Sequence, residues 1–239
     1  MTTRVAINVR TTALLLIAVP IVFTAGFTGL QLTFEYPDIL RHPAGEVLTR
    51  FAAAGADLHL YWYAMMAAAL AMIPTTIGLG LSLWERDRQL AALSIGAGVL
   101  AGLVQALGLL RWVILVPGLA AGYTAPGATE AEQQLATALF DAANRYLGMG
   151  VGEHFGYLFT AAWTLLVAAL IIRQHRYVAV AGVPIALGVL AGMAEPFGVP
   201  MAGAINAISY TLWAVWTLAL GIVVLRGERR EAAAIPQAA

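Results

Sequence analysis

Cysteine is absent from the 239 residues, and so is lysine: all 13 basic side chains are arginine. Without cysteine there is no disulfide, no thiolate metal site and no thiol redox chemistry. Without lysine there is no Schiff base, which excludes a retinal pigment of the usual kind. Charge is scarce as a whole. Only 11% of the residues are Asp, Glu, Lys or Arg, less than half of the roughly one quarter found in soluble domains. So few charges cannot cover a soluble surface of this size, whereas a bilayer solvates apolar faces directly. Acidic and basic residues balance at 13 each, so no basic excess points to nucleic acid.

What the chain has instead is apolar length, with 61% hydrophobic residues and a mean hydropathy of +0.81. Six stretches, about 11–34, 58–83, 90–117, 151–172, 177–199 and 202–225, are each long enough to cross a bilayer. The fold class this predicts is all-α, a polytopic membrane helix bundle with six transmembrane helices. It forms one transmembrane domain over 1–230, followed by a flexible tail at 231–239. The first stretch has basic residues ahead of it but is too long for a signal-peptide core, and no small-residue cleavage site follows, so it reads as a retained helix.

Orientation follows from arginine. Arg4 and Arg10, Arg86 and Arg88, Arg173 and Arg176, and Arg226, Arg229 and Arg230 all fall on one side if the spans alternate. Only Arg41, Arg50 and Arg145 lie in loops on the other. The positive-inside rule therefore puts both termini in the cytoplasm. The expected location is the bacterial cytoplasmic (plasma) membrane, with the lipid bilayer as the principal partner.

Both long loops then face outwards. In the first, Pro43 suits a helix start, and Val47, Leu48 and Phe51 follow at helical spacing. In the second, Thr129-x-x-Glu132 is a capping box, and Leu135, Leu139, Ala143 and Leu147 recur every fourth residue. Each loop is expected to hold a short amphipathic helix, the second lying over the outer face or extending span 4. Gly98-Val99-Leu100-Ala101-Gly102 recurs as Gly188-Val189-Leu190-Ala191-Gly192. This fits either an internal repeat or small-residue helix packing.

Ionisable residues inside spans are costly and need a partner or a task. They concentrate at the outward ends: Glu35, Asp38, Arg111, Asn144 nearby, Glu153, His154 and Glu195. Arg111, in Leu109-Leu110-Arg111-Trp112-Val113, is the sharpest. Glu195, before Pro196, is its expected ion-pair partner. Such a pair is either a structural link between spans 3 and 5 or part of an anion clamp. His59 and His154 are candidate metal ligands with nearby carboxylates, or axial ligands of a b-type haem. Neither has a diagnostic spacing, and each is equally explained as an interface imidazole bonded to water. Tyr61, Trp62, Tyr63 and Trp112 read as an outer aromatic belt. Trp213 and Trp216 read as packed within the bundle, and Asn206 and Ser209 as inter-helix hydrogen-bonders. No nucleophile elbow, phosphate-binding loop or dinucleotide fingerprint is present, so no catalytic residue or cofactor is assigned.

Four segments carry a resemblance: Phe34-Glu35-Tyr36-Pro37-Asp38-Ile39-Leu40-Arg41; Leu110-Arg111-Trp112-Val113 with Pro117; Asn144-x-Tyr146; and Gly152-Glu153-His154-x-Gly156-Tyr157. This pattern resembles the bacterial membrane proteins catalogued as domain of unknown function 4386. The resemblance implies no activity. It marks these outward residues as the ones to test.

The expected function is binding, rather than transport, of a small anionic ligand or lipid head group in an outward-facing polar pocket. The candidate contacts are Arg111, Glu195, Glu153, His154, Asn144, Glu35 and Asp38. The inner halves of the spans are nearly bare of charge, which disfavours a hydrophilic route through the membrane. Three alternatives stand beside this one. They are a metal-dependent enzyme acting at the outer leaflet, a b-type haem electron carrier through His59 and His154, and a purely structural membrane subunit.

Overall fold

The computed structural model describes residues 8–234, with side chains through Gly227, and every regular element among them is helical. The helices are α1 (Val9–Phe34), α2 (Ala44–Ala53), α3 (Ala56–Ser82), α4 (Arg88–Leu110), α5 (Val116–Tyr123), α6 (Glu130–Ala143), α7 (Gly156–Ile171), α8 (Arg176–Ala191) and α9 (Ala202–Ala234). Two wide π-helical segments, Arg111–Leu115 and Asn144–Phe155, join α4 to α5 and α6 to α7 without a break. Six helices in all are long and apolar enough to cross a membrane. Each overlaps one of the six expected stretches, and the third and fourth, Arg88–Tyr123 and Glu130–Ile171, run well beyond the expected 90–117 and 151–172. The sixth runs on to Ala234, so the first residues of the expected tail are helical, and 235–239 lie outside the described residues.

The wide turn at Arg111–Leu115 has a local cause. Pro117 has no N–H to donate back along the helix, and its ring crowds the preceding turn. Widening that turn relieves the clash, and the amide of Val116 reaches back five residues to the carbonyl of Arg111. Single-turn widenings of this kind recur at functional sites. The second segment contains Gly148, Gly150 and Gly152.

The chain groups into two compact units, each with its own packing. One comprises Met1–Ile21, Ala71–Gly102 and Tyr157–Ala239, and the other Val22–Leu70 and Leu103–Gly156.

In the first unit α8 and α9 pack as an antiparallel hairpin, and Asn206 Nδ2 donates to the carbonyl of Val189 at 2.7 Å. Trp216 Nε1 donates to Val178 O at 2.7 Å, and Trp213 Nε1 to Thr164 Oγ1 at 2.9 Å. The expected packing roles of Trp213, Trp216 and Asn206 are met. Gly188 faces the buried Ser209, whose hydroxyl would occupy the space of a side chain there. That close approach fits the small-residue packing that was one of the two readings of the Gly-Val-Leu-Ala-Gly segment.

The second unit holds α2, α5 and α6 together as a small helical cap. Both loop helices form as expected. Pro43 caps α2, whose Val47, Leu48 and Phe51 are buried. Thr129 and Glu132 complete the capping box at the start of α6. α6 runs through the widened segment Asn144–Phe155 into α7, so it lengthens the fourth spanning helix at its start. α5 was not expected as a separate element. The helix that begins at Arg88 continues to Tyr123, 36 residues in all, or roughly 54 Å where a bilayer core needs only ~30 Å. Its surplus becomes the cap.

Candidate functional site

The second unit is built on an aromatic core. Trp62 and Trp112 stack face to face, with ring centroids 4.4 Å apart and planes 3° apart. Tyr36 meets the edge of Trp62 at 5.0 Å. Phe34, Phe51 and Phe140 surround Trp112 at 5.7–6.0 Å. Both tryptophans are fully buried. This corrects the aromatic-belt reading for Trp62 and Trp112, although Tyr63 remains exposed. Burying two indoles against each other removes far more apolar surface from water than a belt position would.

Arg111 sits beneath this core. It is 6% exposed, and its guanidinium lies 5.4 Å from the Trp112 ring centroid. One terminal nitrogen donates to the Gly108 carbonyl, and the other to Asn144 Oδ1 at 3.0 Å. Its Nε is buried and has no hydrogen-bond partner among the described residues. The same holds for the Nε1 atoms of Trp62 and Trp112. A buried donor left unmade costs about 1–3 kcal/mol, so three together call for an explanation.

The seam that positions Arg111 is tight. A Cβ on Gly108 would lie 2.6 Å from the Cα of Gly152, and one on Gly148 would lie 2.6 Å from Arg111 Nη2. Only glycine allows α4 and the widened segment Asn144–Phe155 to cross so closely, and this crossing sets Asn144 opposite Arg111.

Tyr36 and Glu153 complete the electrostatic surroundings. Burial pushes the Tyr36 hydroxyl up to about 12, the Glu153 carboxylate adds to that shift, and Arg111 opposes it. The three groups therefore share one field.

Arg111 was expected to pair with Glu195, but its hydrogen bonds go to Gly108 and Asn144. Glu195 is exposed, on the 3₁₀ segment Gly192–Phe197 that ends α8, with its carboxylate against Gly203. Pro196 lies within this segment. The tightened turn places Glu195 past the end of α8 rather than on a buried face of it.

Glu35 and Asp38 are both exposed and engaged. Glu35 Oε2 pairs with Arg50 at 2.9 Å, and Asp38 Oδ1 with Arg41 at 2.5 Å. Arg50 also holds Glu46 at 2.8 Å, and His42 Nδ1 lies 2.9 Å from the same carboxylate. Exposed pairs like these contribute little singly. Here they tie the end of α1 to α2, with Glu35 at a positive φ of 54°.

His59 is exposed and meets the edge of Phe51 at 5.1 Å, and His154 is half-buried beside Phe155. Among the described residues, no group of three or more His, Asp or Glu is placed to hold a metal ion.

A chain of six membrane-length apolar helices, with a helical cap over a buried arginine, is a multi-pass membrane protein of α-helical class. Residues 11–227 match the family described as Domain of unknown function (DUF4386), and the chain belongs to that family. No curated protein and no solved structure matches it.

Proposed function

We propose that this is an anion-binding protein of the bacterial cytoplasmic membrane, with both termini in the cytoplasm, holding a small anion or an anionic lipid head group at Arg111 from the outer side. The observation that carries the reading is a nine-tenths buried guanidinium whose Nε has no acceptor among the described residues. An arginine presents its donors as a planar fork suited to carboxylate and phosphate. The present acceptor, Asn144, is a neutral amide oxygen. An incoming oxyanion would replace it with a charge-assisted bond about twice as strong, and its second oxygen would reach Nε.

Position supports the same reading. Arg111 lies about 23 positions beyond Arg88 at the opposite end of its helix, roughly 35 Å along the axis. That is close to the outer limit of the hydrocarbon core, where phosphate head groups lie. Glu153 and Tyr36 supply counter-charge and polarity beside it. His154 adjoins Glu153 in the chain.

The test uses the full chain in phosphatidylcholine nanodiscs, titrated calorimetrically with inorganic phosphate, alongside Arg111→Gln. One phosphate per chain, lost in Arg111→Gln, supports a free anion. No phosphate binding, but phosphatidylglycerol enriched around the native protein and not around the variant, supports a lipid head group. Equal behaviour of both proteins in both assays overturns the proposal.

A further inference from the structure

α5 and α6 leave an open cleft of about 390 Å³ between them. Its floor is Gly118 and Gly122 on α5, and a Cβ built on either would meet nothing within 4 Å. Its walls are Leu119, Leu135, Ala136 and Leu139. The one carboxylate on its rim, Glu132, is bound to Thr129 in the capping box. No cationic side chain lines the cleft, and its mostly apolar walls suit a neutral hydrocarbon.

Lipid does not already cover this surface. Gly118 lies about 30 positions beyond Arg88, roughly 45 Å along the helix, past a hydrocarbon core of ~30 Å. α6 also carries Glu130, Glu132, Gln133, Gln134 and Asp141, which keep it in water. Yet Leu135 and Leu139 are 61% and 47% exposed, an apolar patch without an aqueous rationale.

The cleft and Arg111 belong to one antiparallel seam. Gly118 and Gly122 follow Arg111 at i+7 and i+11 on the same continuous helix. Leu139 precedes Asn144, the residue that Arg111 bonds, on the other. Along the seam the order is hydrocarbon cleft, then buried guanidinium, then the closed Gly108–Gly152 crossing.

Resting on the anion reading above, we propose that the ligand is a single-chain amphiphile with an acidic head, a long-chain carboxylate, whose head group lies on Arg111 and whose alkyl chain runs up the α5–α6 cleft. The closed crossing blocks the opposite direction, so the chain extends away from the bilayer core.

The probe is stearate carrying a nitroxide near its methyl end, added to the full chain in phosphatidylcholine nanodiscs and followed by electron paramagnetic resonance. Acetate and inorganic phosphate serve as head-only competitors. Gly118→Leu/Gly122→Leu fills the cleft without touching Arg111. Leu135→Gln/Leu139→Gln, at exposed positions, is a second variant that keeps the packing. The expected result is an immobilised signal at one stearate per chain, displaced by oleate at far lower concentration than by acetate. Each double variant should weaken it at least about tenfold, the effect of losing contact with about two methylenes. If phosphate or acetate binds in an Arg111-dependent way but stearate binds no tighter and the cleft variants change nothing, the amphiphile inference falls and the anion reading stands. If neither stearate nor phosphate distinguishes the native protein from Arg111→Gln, both fall.

Discussion

Tyr36 keeps its proton at pH values where most tyrosines ionise, because burial and the nearby Glu153 carboxylate raise its pKa to about 12. The unfolded chain would titrate near ~10. A group whose folded pKa lies above its unfolded value adds stability that is fully present below about pH 10. That stability is lost as pH rises towards about 12. Tyr36→Phe should therefore flatten the fall in thermal stability between about pH 9 and 11.5 in detergent. An unchanged fall would mean that the hydroxyl is in contact with water. Tyr36 was legible only as part of a motif, since its burial depends on Trp62, 26 positions away. Arg111 was legible by itself, because a lone arginine in an apolar run must have a partner. The identity of that partner was not, since Asn144 faces it through a helix crossing that hydropathy does not encode.

Among the elements, those governed by local rules were legible. The capping box at Thr129 and the helix start at Pro43 depend on neighbours within four residues, and both formed. The six spans followed from apolar length. The widened segments and α5 were not foreseen. A π-helical turn is stabilised by what it packs against as well as by its own sequence, and Pro117 alone could equally have ended the helix. The crossing of Gly108 and Gly152 can be tested against a neighbour on the same helix. Gly108→Ala places a methyl 2.6 Å from Gly152 Cα and should destabilise by about 1–3 kcal/mol. A methyl on Gly96 would meet nothing within 4 Å, so Gly96→Ala should be neutral or stabilising by up to about 1 kcal/mol through helix propensity. Thermal unfolding of both variants in the same detergent decides the matter. A Gly108→Ala protein as stable as Gly96→Ala would contradict the close crossing.

At the scale of the whole molecule, apolar length and arginine placement are global properties of the chain, and they gave the helical class directly. The grouping into two units did not follow from them, because it depends on the surplus length of the third and fourth spanning helices folding with α2 into a cap. An anion or amphiphile can reach Arg111 from outside only if that cap faces outwards. Because the chain has no cysteine, a single introduced thiol is an unambiguous probe. Leu135→Cys lies on the exposed face of α6, and Gln174→Cys lies in the exposed turn between α7 and α8. The measurement is labelling of each variant in intact bacterial cells with a membrane-impermeant maleimide, before and after lysis. The expected result is that Leu135→Cys reacts in intact cells and Gln174→Cys reacts only after lysis. The reverse pattern would turn the arginine site to the cytoplasm and contradict the outward-facing site.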